Sequence, residues 1–363
     1  MIDKELSAIF LSLVRIGIGH DEHVELREID WQAIQALAER QGLLPIVVDG
    51  IETLPDAIRP PKIALLRLIG EALQMEQQYA LQRKTAVDMA RMLHDNCIRT
   101  YVLKGEVVAE CYPKPEHRIS ADFDCLLLPE VGEDDVWEKC NQLIENAGYK
   151  VGRGFYKNSS FDLPGLMVEN HRFMVPFRGN KRLKSLERLL QRLINDGSAG
   201  SPQENENRFE GTWLYRPPVM VSALFLIEHA YSHFLHEGLN WRHVLDWVMF
   251  SDKYKDEIDW NQLSAFIDEY GFRKFYDSYH RLGLYLIGEF QDSSFTIQDK
   301  LMLDDIWAPL DLHETLHGVK AKFQLAGNYW RARWKYKHFT DTTWVRALFE
   351  WVSGAMFDRH PAL

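Results

Sequence analysis

Strand-forming sequence is confined to one stretch of this chain, between Cys97 and Val175, with helical periodicity on both sides of it. That layout predicts an α+β protein: a small mixed sheet with an N-terminal helical region and a C-terminal helical domain. In the first part, Trp31, Ile34, Leu37 and Ala38 recur at helical spacing, and Asp30 stands before them as an N-cap. A second helix is expected over residues 63–94, after the Pro60-Pro61 break. The β-rich stretch then reads as a strand at 98–103, ended by Lys104-Gly105, a short helix at 106–112 and a strand at 118–128. A helix at 134–147 follows, with Gly148 at its end. Two strands at 154–163 and 166–175 are joined by the turn dipeptide Pro164-Gly165. Residues 180–212 are polar, with 198–207 as the clearest loop, and helical pattern resumes at Pro217 with a break near Gly238 and Asn240. The expected organisation is a helical region over 1–95, an α/β core over 96–180, a linker over 181–212 and a helical domain over 213–363.

Bulk properties narrow the class. Apolar residues make up 46% of the chain, enough to bury a core. A net charge of -11 argues against a general electrostatic grip on nucleic acid. The four cysteines, Cys97, Cys111, Cys125 and Cys140, form no C-x-x-C pair, which speaks against a zinc ribbon. Unpatterned cysteines, an N-terminus without a basic leader and no apolar run of membrane-spanning length point to a cytoplasmic protein with no membrane partner.

The chemistry-bearing feature is Asp122-Phe123-Asp124, followed by the apolar run Cys125 to Leu128. On a strand the two carboxylates project to one face and Phe123 to the other. Two like charges on an apolar strand are costly, and a divalent cation relieves that cost. Oxygen ligands suit Mg²⁺ or Mn²⁺, which also bind substrate phosphates. Alone, D-x-D reads first as solvated acids on an exposed strand edge.

Its surroundings carry more. Val102-Leu103-Lys104-Gly105, a short helix to Tyr112-Pro113, Arg118 and then Asp122-Phe123-Asp124 resemble the bacterial family of uncharacterised nucleotidyltransferases, within the polymerase-β-like superfamily. The resemblance continues at Val168-Glu169-Asn170-His171, Leu226-Ile227-Glu228-His229, His233-Phe234, Trp241-Arg242 and Leu245-Asp246, and spans about residues 25 to 260. It implies that Asp122 and Asp124 ligate the metal and that Glu169 is the third carboxylate, as ligand or base. Asp162 is the weaker rival for that role. Gly105 would let the backbone approach the triphosphate of an NTP such as ATP. One departure stands out: Glu106 follows Gly105 where the superfamily commonly has serine. Lys104 then supplies charge to phosphate or is an exposed strand-end lysine. Arg118 clamps phosphate or pairs with an acid.

His229, His233 and His236 fall on nearly one helix face, but H-A-Y-S-H lacks the glutamate of a zinc protease. The histidines either pack across the cleft or contact nucleotide. A separate phosphohydrolase metal site using Asp246 is a minor alternative. Arg242 would touch nucleotide or form an i,i+4 ion pair with Asp246. The basic-aromatic segment 329–338 reads as an amphipathic helix before a single-strand binder. The implied reaction moves an NMP from an NTP to an acceptor hydroxyl on a small molecule, protein or tRNA, releasing pyrophosphate. The competing expectation is a catalytically weak binding or regulatory module, for example in a toxin–antitoxin pair, motivated by Glu106.

Overall fold

The computed structural model describes residues 3–20, 24, 29–130, 135–153, 156–198, 207–308 and 330–357. Among them are fourteen α-helices and one five-stranded sheet, an α+β architecture. The N-terminal helices are α1 (Lys4–Gly17), α2 (Trp31–Gln41), α3 (Leu44–Thr53) and the 33-residue α4 (Lys62–His94). Asp30 caps α2, its carboxylate accepting from the Ala33 amide. These helices are not a separate body. Buried Gln41 donates to the Ile306 carbonyl and accepts from the Trp241 amide, tying α2 to the C-terminal helices. Arg15 of α1 reaches the Leu286 and Tyr285 carbonyls of the same domain.

The sheet runs β3-β4-β2-β1-β5, with β1 (Ile98–Val102), β2 (Phe123–Pro129), β3 (Asn158–Leu163), β4 (Leu166–His171) and β5 (Leu214–Tyr215). Central β2 is buried from Phe123 to Leu127, which is why its sequence is an apolar run and not an alternation. It pairs antiparallel with β1 and parallel with β4. Helix α5 (Glu106–Ala109) follows β1, and α6 (Val136–Asn146) packs on β2.

Several elements differ from the sequence reading: α5 and β4 end early, at Ala109 and His171, and β5 lies outside the stretch expected to hold the strands. The strand expected at 118–128 begins only at Phe123. Pro115 opens a 3₁₀ turn through His117, and Ser120 Oγ donates to the Asp122 carbonyl 2.9 Å away, a local bond that replaces ladder pairing. The expected linker starts instead with α7 (Lys181–Ser198), capped by Asn180, whose side chain accepts from the Arg182 and Leu183 amides. Leu186, Leu190 and Ile194 are its buried stripe. Residues 199–206 of the expected loop lie outside the described residues.

The C-terminal domain continues with α8 (Val219–His236), α9 (Trp241–Lys253), α10 (Trp260–Tyr270), α11 (Arg273–Leu286) and α12 (Ile297–Trp307), then α13 (Arg333–Phe339) and α14 (Trp344–Phe357). The break at Gly238–Asn240 is real: Asn240 caps α9 in a reciprocal box with His243. In the basic-aromatic segment, of which residue 329 is not described, Lys335 is buried. Its ammonium donates to the Phe234 carbonyl and to Asp305, each at 2.7 Å. Tyr336 and Phe339 join the core while Arg331, Arg333 and Lys337 face solvent, the pattern of a packed amphipathic helix. No helix of the described residues is long and apolar enough to cross a membrane.

Candidate active site

The sheet register sets the geometry. In the parallel β2–β4 pair Asp124 stands opposite Glu169, so two carboxylates from adjacent strands share one face. Asp122 lies just before β2. Together with Lys157, Glu169, Glu228, His229 and His233 it lines a cleft of about 360 Å³ between the sheet and α8. Asp162 is exposed on β3 and outside that cleft.

The two acids of the D-x-D are driven apart. For Asp122, burial and then the charge of Asp124 raise the carboxyl above its usual range. Asp124 is more deeply buried, which alone would raise it. The hydrogen bond to His171, that ring's charge, and Lys104 and Lys157 outweigh burial and hold it at about 2. His171 Nε2 lies 2.8 Å from Asp124 Oδ1 and 3.6 Å from Glu169 Oε2. Asn158 Nδ2 donates to Glu169 Oε2 at 2.6 Å. Ligand atoms of Asp124, Glu169 and His171 all come within 4.8 Å of one another, the spacing of a site able to hold a cation. Two carboxylates and an imidazole at that spacing are a donor set for a divalent ion, and Asp122 lies outside this close group.

Lys104 is buried and not an exposed strand end. Its ammonium sits 3.5 Å from His229 Nδ1. Burial is the main cause that brings it down to about 8, aided by Arg242 and Arg118 and opposed by Asp246 and Asp124. Burial next to Lys104 also pushes His229 far below the ordinary imidazole value, so this ring is neutral. His229 lies against His233 with tilted rings, centroids 4.5 Å apart, and His233 bonds Glu237 at 2.7 Å.

Arg118 pairs with an acid, and the acid is Asp246. Nε and Nη2 fork onto its two oxygens at 2.9 and 2.8 Å, and Tyr112 donates its hydroxyl to Oδ1 at 2.8 Å. Arg118 Nη1 is buried without a hydrogen-bond partner, and the residue lines a small cavity with Gly105, Ser120 and Asp122. The expected Arg242–Asp246 pair does not form. Asp246 is already taken by Arg118, and Arg242 Nη1 donates instead to the Ile119 carbonyl at 2.6 Å. The phosphohydrolase alternative loses its aspartate to the same fork. Gly105 adopts φ 68 and ψ −109, a conformation that needs glycine. Glu106 turns onto α4, accepting from Tyr79 at 3.1 Å and Arg83 at 3.3 Å.

Sequence reasoning left three residues in or beside the cleft without a role. His171 was visible only as a neighbour of Glu169 in the motif. Glu228 enters the sequence reading only as a motif letter before His229; it lines the cleft, and burial raises its carboxyl to about 7. Lys157 carries no motif and enters through the hairpin geometry alone.

Compared with known proteins, the chain matches a family model described as an uncharacterised nucleotidyltransferase over residues 27–287. No curated protein and no solved structure matches it significantly. The matched region takes in the whole cleft, from α2 through the D-x-D and Glu169 to the histidine helix and Asp246, and the chain therefore belongs to this family of uncharacterised nucleotidyltransferases.

Proposed function

We propose that the protein is a metal-dependent nucleotidyltransferase that moves an NMP from an NTP to an acceptor hydroxyl. The observation that carries this reading is the pairing of Asp124 with Glu169 on parallel strands, beside Asp122 and next to a cleft that Lys157, Glu228 and the α8 histidines also line. Asp122, Asp124 and Glu169 would hold Mg²⁺ or Mn²⁺. A bound divalent ion would neutralise phosphate charge and favour ionisation of the attacking hydroxyl. Lys104 and the spare Nη1 of Arg118 donate to phosphate oxygens, with the Gly105 backbone alongside. Arg242, through the Ile119 carbonyl, keeps the segment between Arg118 and Asp122 in place. His229 and His233 form the nucleotide-facing wall on α8. Glu228, held near neutrality by burial, is placed to take the acceptor's proton. The acceptor oxygen forms a bond to the α-phosphorus as the bond to pyrophosphate breaks.

Glu106 favours a second reading, a nucleotide-binding module without transfer, because the position after Gly105 is bonded to α4 and offers no hydroxyl. One assay separates the two. Each α-labelled NTP is incubated with Mg²⁺ or Mn²⁺ and a panel of tRNA, protein and small-molecule acceptors. Transfer by the wild type should fall by about 10³-fold, roughly 4 kcal/mol, in the Asp122→Asn/Asp124→Asn double variant. Equal transfer by both proteins rejects the catalytic reading.

A further inference from the structure

The environment of His171 determines what its two ring nitrogens can be. The residue ends β4 and is 1% exposed, with its ring edge-on to Phe225 at 6.2 Å. Nδ1 faces the Phe173 carbonyl at 3.3 Å. A carbonyl oxygen only accepts, so the tautomer that uses this contact carries its hydrogen on Nδ1. In the neutral ring Nε2 is then a lone pair. That lone pair faces Asp124 Oδ1 at 2.8 Å and Glu169 Oε2 at 3.6 Å, atoms that also only accept when ionised. In that tautomer three acceptors face one another, and a proton or a metal ion between them satisfies all three.

Two features favour the ion as the partner this arrangement serves. A metal-ligating histidine commonly donates its other ring N–H to a carbonyl or carboxylate, which fixes the tautomer and aims the ring. His171 has that arrangement through Phe173. The spacing also fits: metal–ligand bonds of about 2.1 Å put neighbouring ligands of an octahedral or tetrahedral ion about 3.0–3.4 Å apart. The separations of 2.8 and 3.6 Å bracket that range.

We propose that His171 Nε2 is itself a metal ligand alongside Asp124 and Glu169, and that the site consequently prefers a first-row transition ion such as Mn²⁺ to Mg²⁺. The preference follows from donor chemistry: imidazole suits transition ions, whereas Mg²⁺ favours an all-oxygen shell and sheds water reluctantly. The inference rests on the metal-dependent reading above and deepens it.

The test uses the full-length, metal-stripped protein. Mn²⁺ binding is followed by electron paramagnetic resonance and calorimetry with Mg²⁺ as competitor, and pulsed resonance reads nitrogen coupling at the bound Mn²⁺. The expected result is one directly coordinated imidazole nitrogen and displacement only by Mg²⁺ in large excess. His171→Gln should lose that coupling and weaken Mn²⁺ binding by ~10-fold or more, with a smaller change for Mg²⁺. Bound Mn²⁺ without nitrogen coupling, or an unaltered Mn²⁺-to-Mg²⁺ ratio in His171→Gln, overturns the proposal and leaves the metal-dependent reading standing. Binding of neither ion by the wild type overturns both. Should His171→Gln not fold, the wild-type nitrogen spectrum decides by itself.

Discussion

Two charge clusters flank the Lys104–Gly105 turn, one centred on Asp246 and the other on Asp124. In the first, a carboxylate is bound by both arms of the Arg118 fork and by the Tyr112 hydroxyl, deep between the sheet domain and α9. In the second, Asp122, Asp124 and Glu169 stand near one another with His171 against Asp124 and Glu169, while Lys104 stands close by without a carboxylate bonded to it. Residue types are nearly the same; saturation is not. The Asp246 cluster spends its bonding capacity inside the protein and keeps one free donor, Arg118 Nη1. The Asp124 cluster retains unmet charge of both signs, which a metal and a polyphosphate would satisfy together.

Substitutions should separate the clusters by sign as well as size. Asp246→Ala strips the counter-charge from a buried guanidinium and should destabilise the fold by about 3–5 kcal/mol in chemical denaturation. A loss below 1 kcal/mol would place Arg118 in contact with water and blur the distinction. Lys104→Ala should weaken triphosphate binding by roughly 1.5–3 kcal/mol, the worth of a charged hydrogen bond, with little loss of stability. For the wild type the pH dependence has a definite sign. Lys104 donates to phosphate only while protonated, so affinity is full below about 8 and declines as pH rises through it. Calorimetry from pH 6.5 to 9.5 should find this decline absent in Lys104→Ala. The smallest effect belongs to Asp122→Asn. Because the folded protein raises this carboxyl, its ionised form penalises the apo fold once pH exceeds the carboxylate range. Removing the charge should leave stability at pH 7 unchanged or higher, by on the order of 0.5 kcal/mol. A destabilisation approaching that of Asp246→Ala would show that the two clusters are alike.

The sequence made the acidic cluster readable because its parts are local. Lys104-Gly105, Arg118 and Asp122-Phe123-Asp124 fall within 21 consecutive residues, and Glu169 sits on a hairpin announced by Pro164-Gly165. The Asp246 cluster is spread over 134 positions, so nothing in the chain singled out Arg118 as Asp246's partner, and the nearer Arg242 was preferred by spacing alone. Helix α7 was hidden for another reason. Its Leu186, Leu190 and Ile194 stripe is regular, but charged residues between them made the segment look like polar linker. His171 was legible as a motif letter and not as a ligand, since its role depends on a carbonyl two residues away and a strand pairing.

The long helix α4 has a bearing on all of this that its position conceals. It grips the tip of the β3–β4 hairpin: Gln78 donates to the Gly165 carbonyl at 2.7 Å and Thr85 to the Pro164 carbonyl at 2.9 Å. Gly165 has φ 71, and a β-carbon there would run into the Leu81 side chain. The same helix bonds Glu106 on the far side of the Gly105 turn. A rigid rod about 50 Å long thus acts as a ruler laid behind the sheet. It fixes how far the strand bearing Glu169 and His171 stands from the phosphate-facing turn, and a residue as small as Gly165 guards that calibration from outside the cleft.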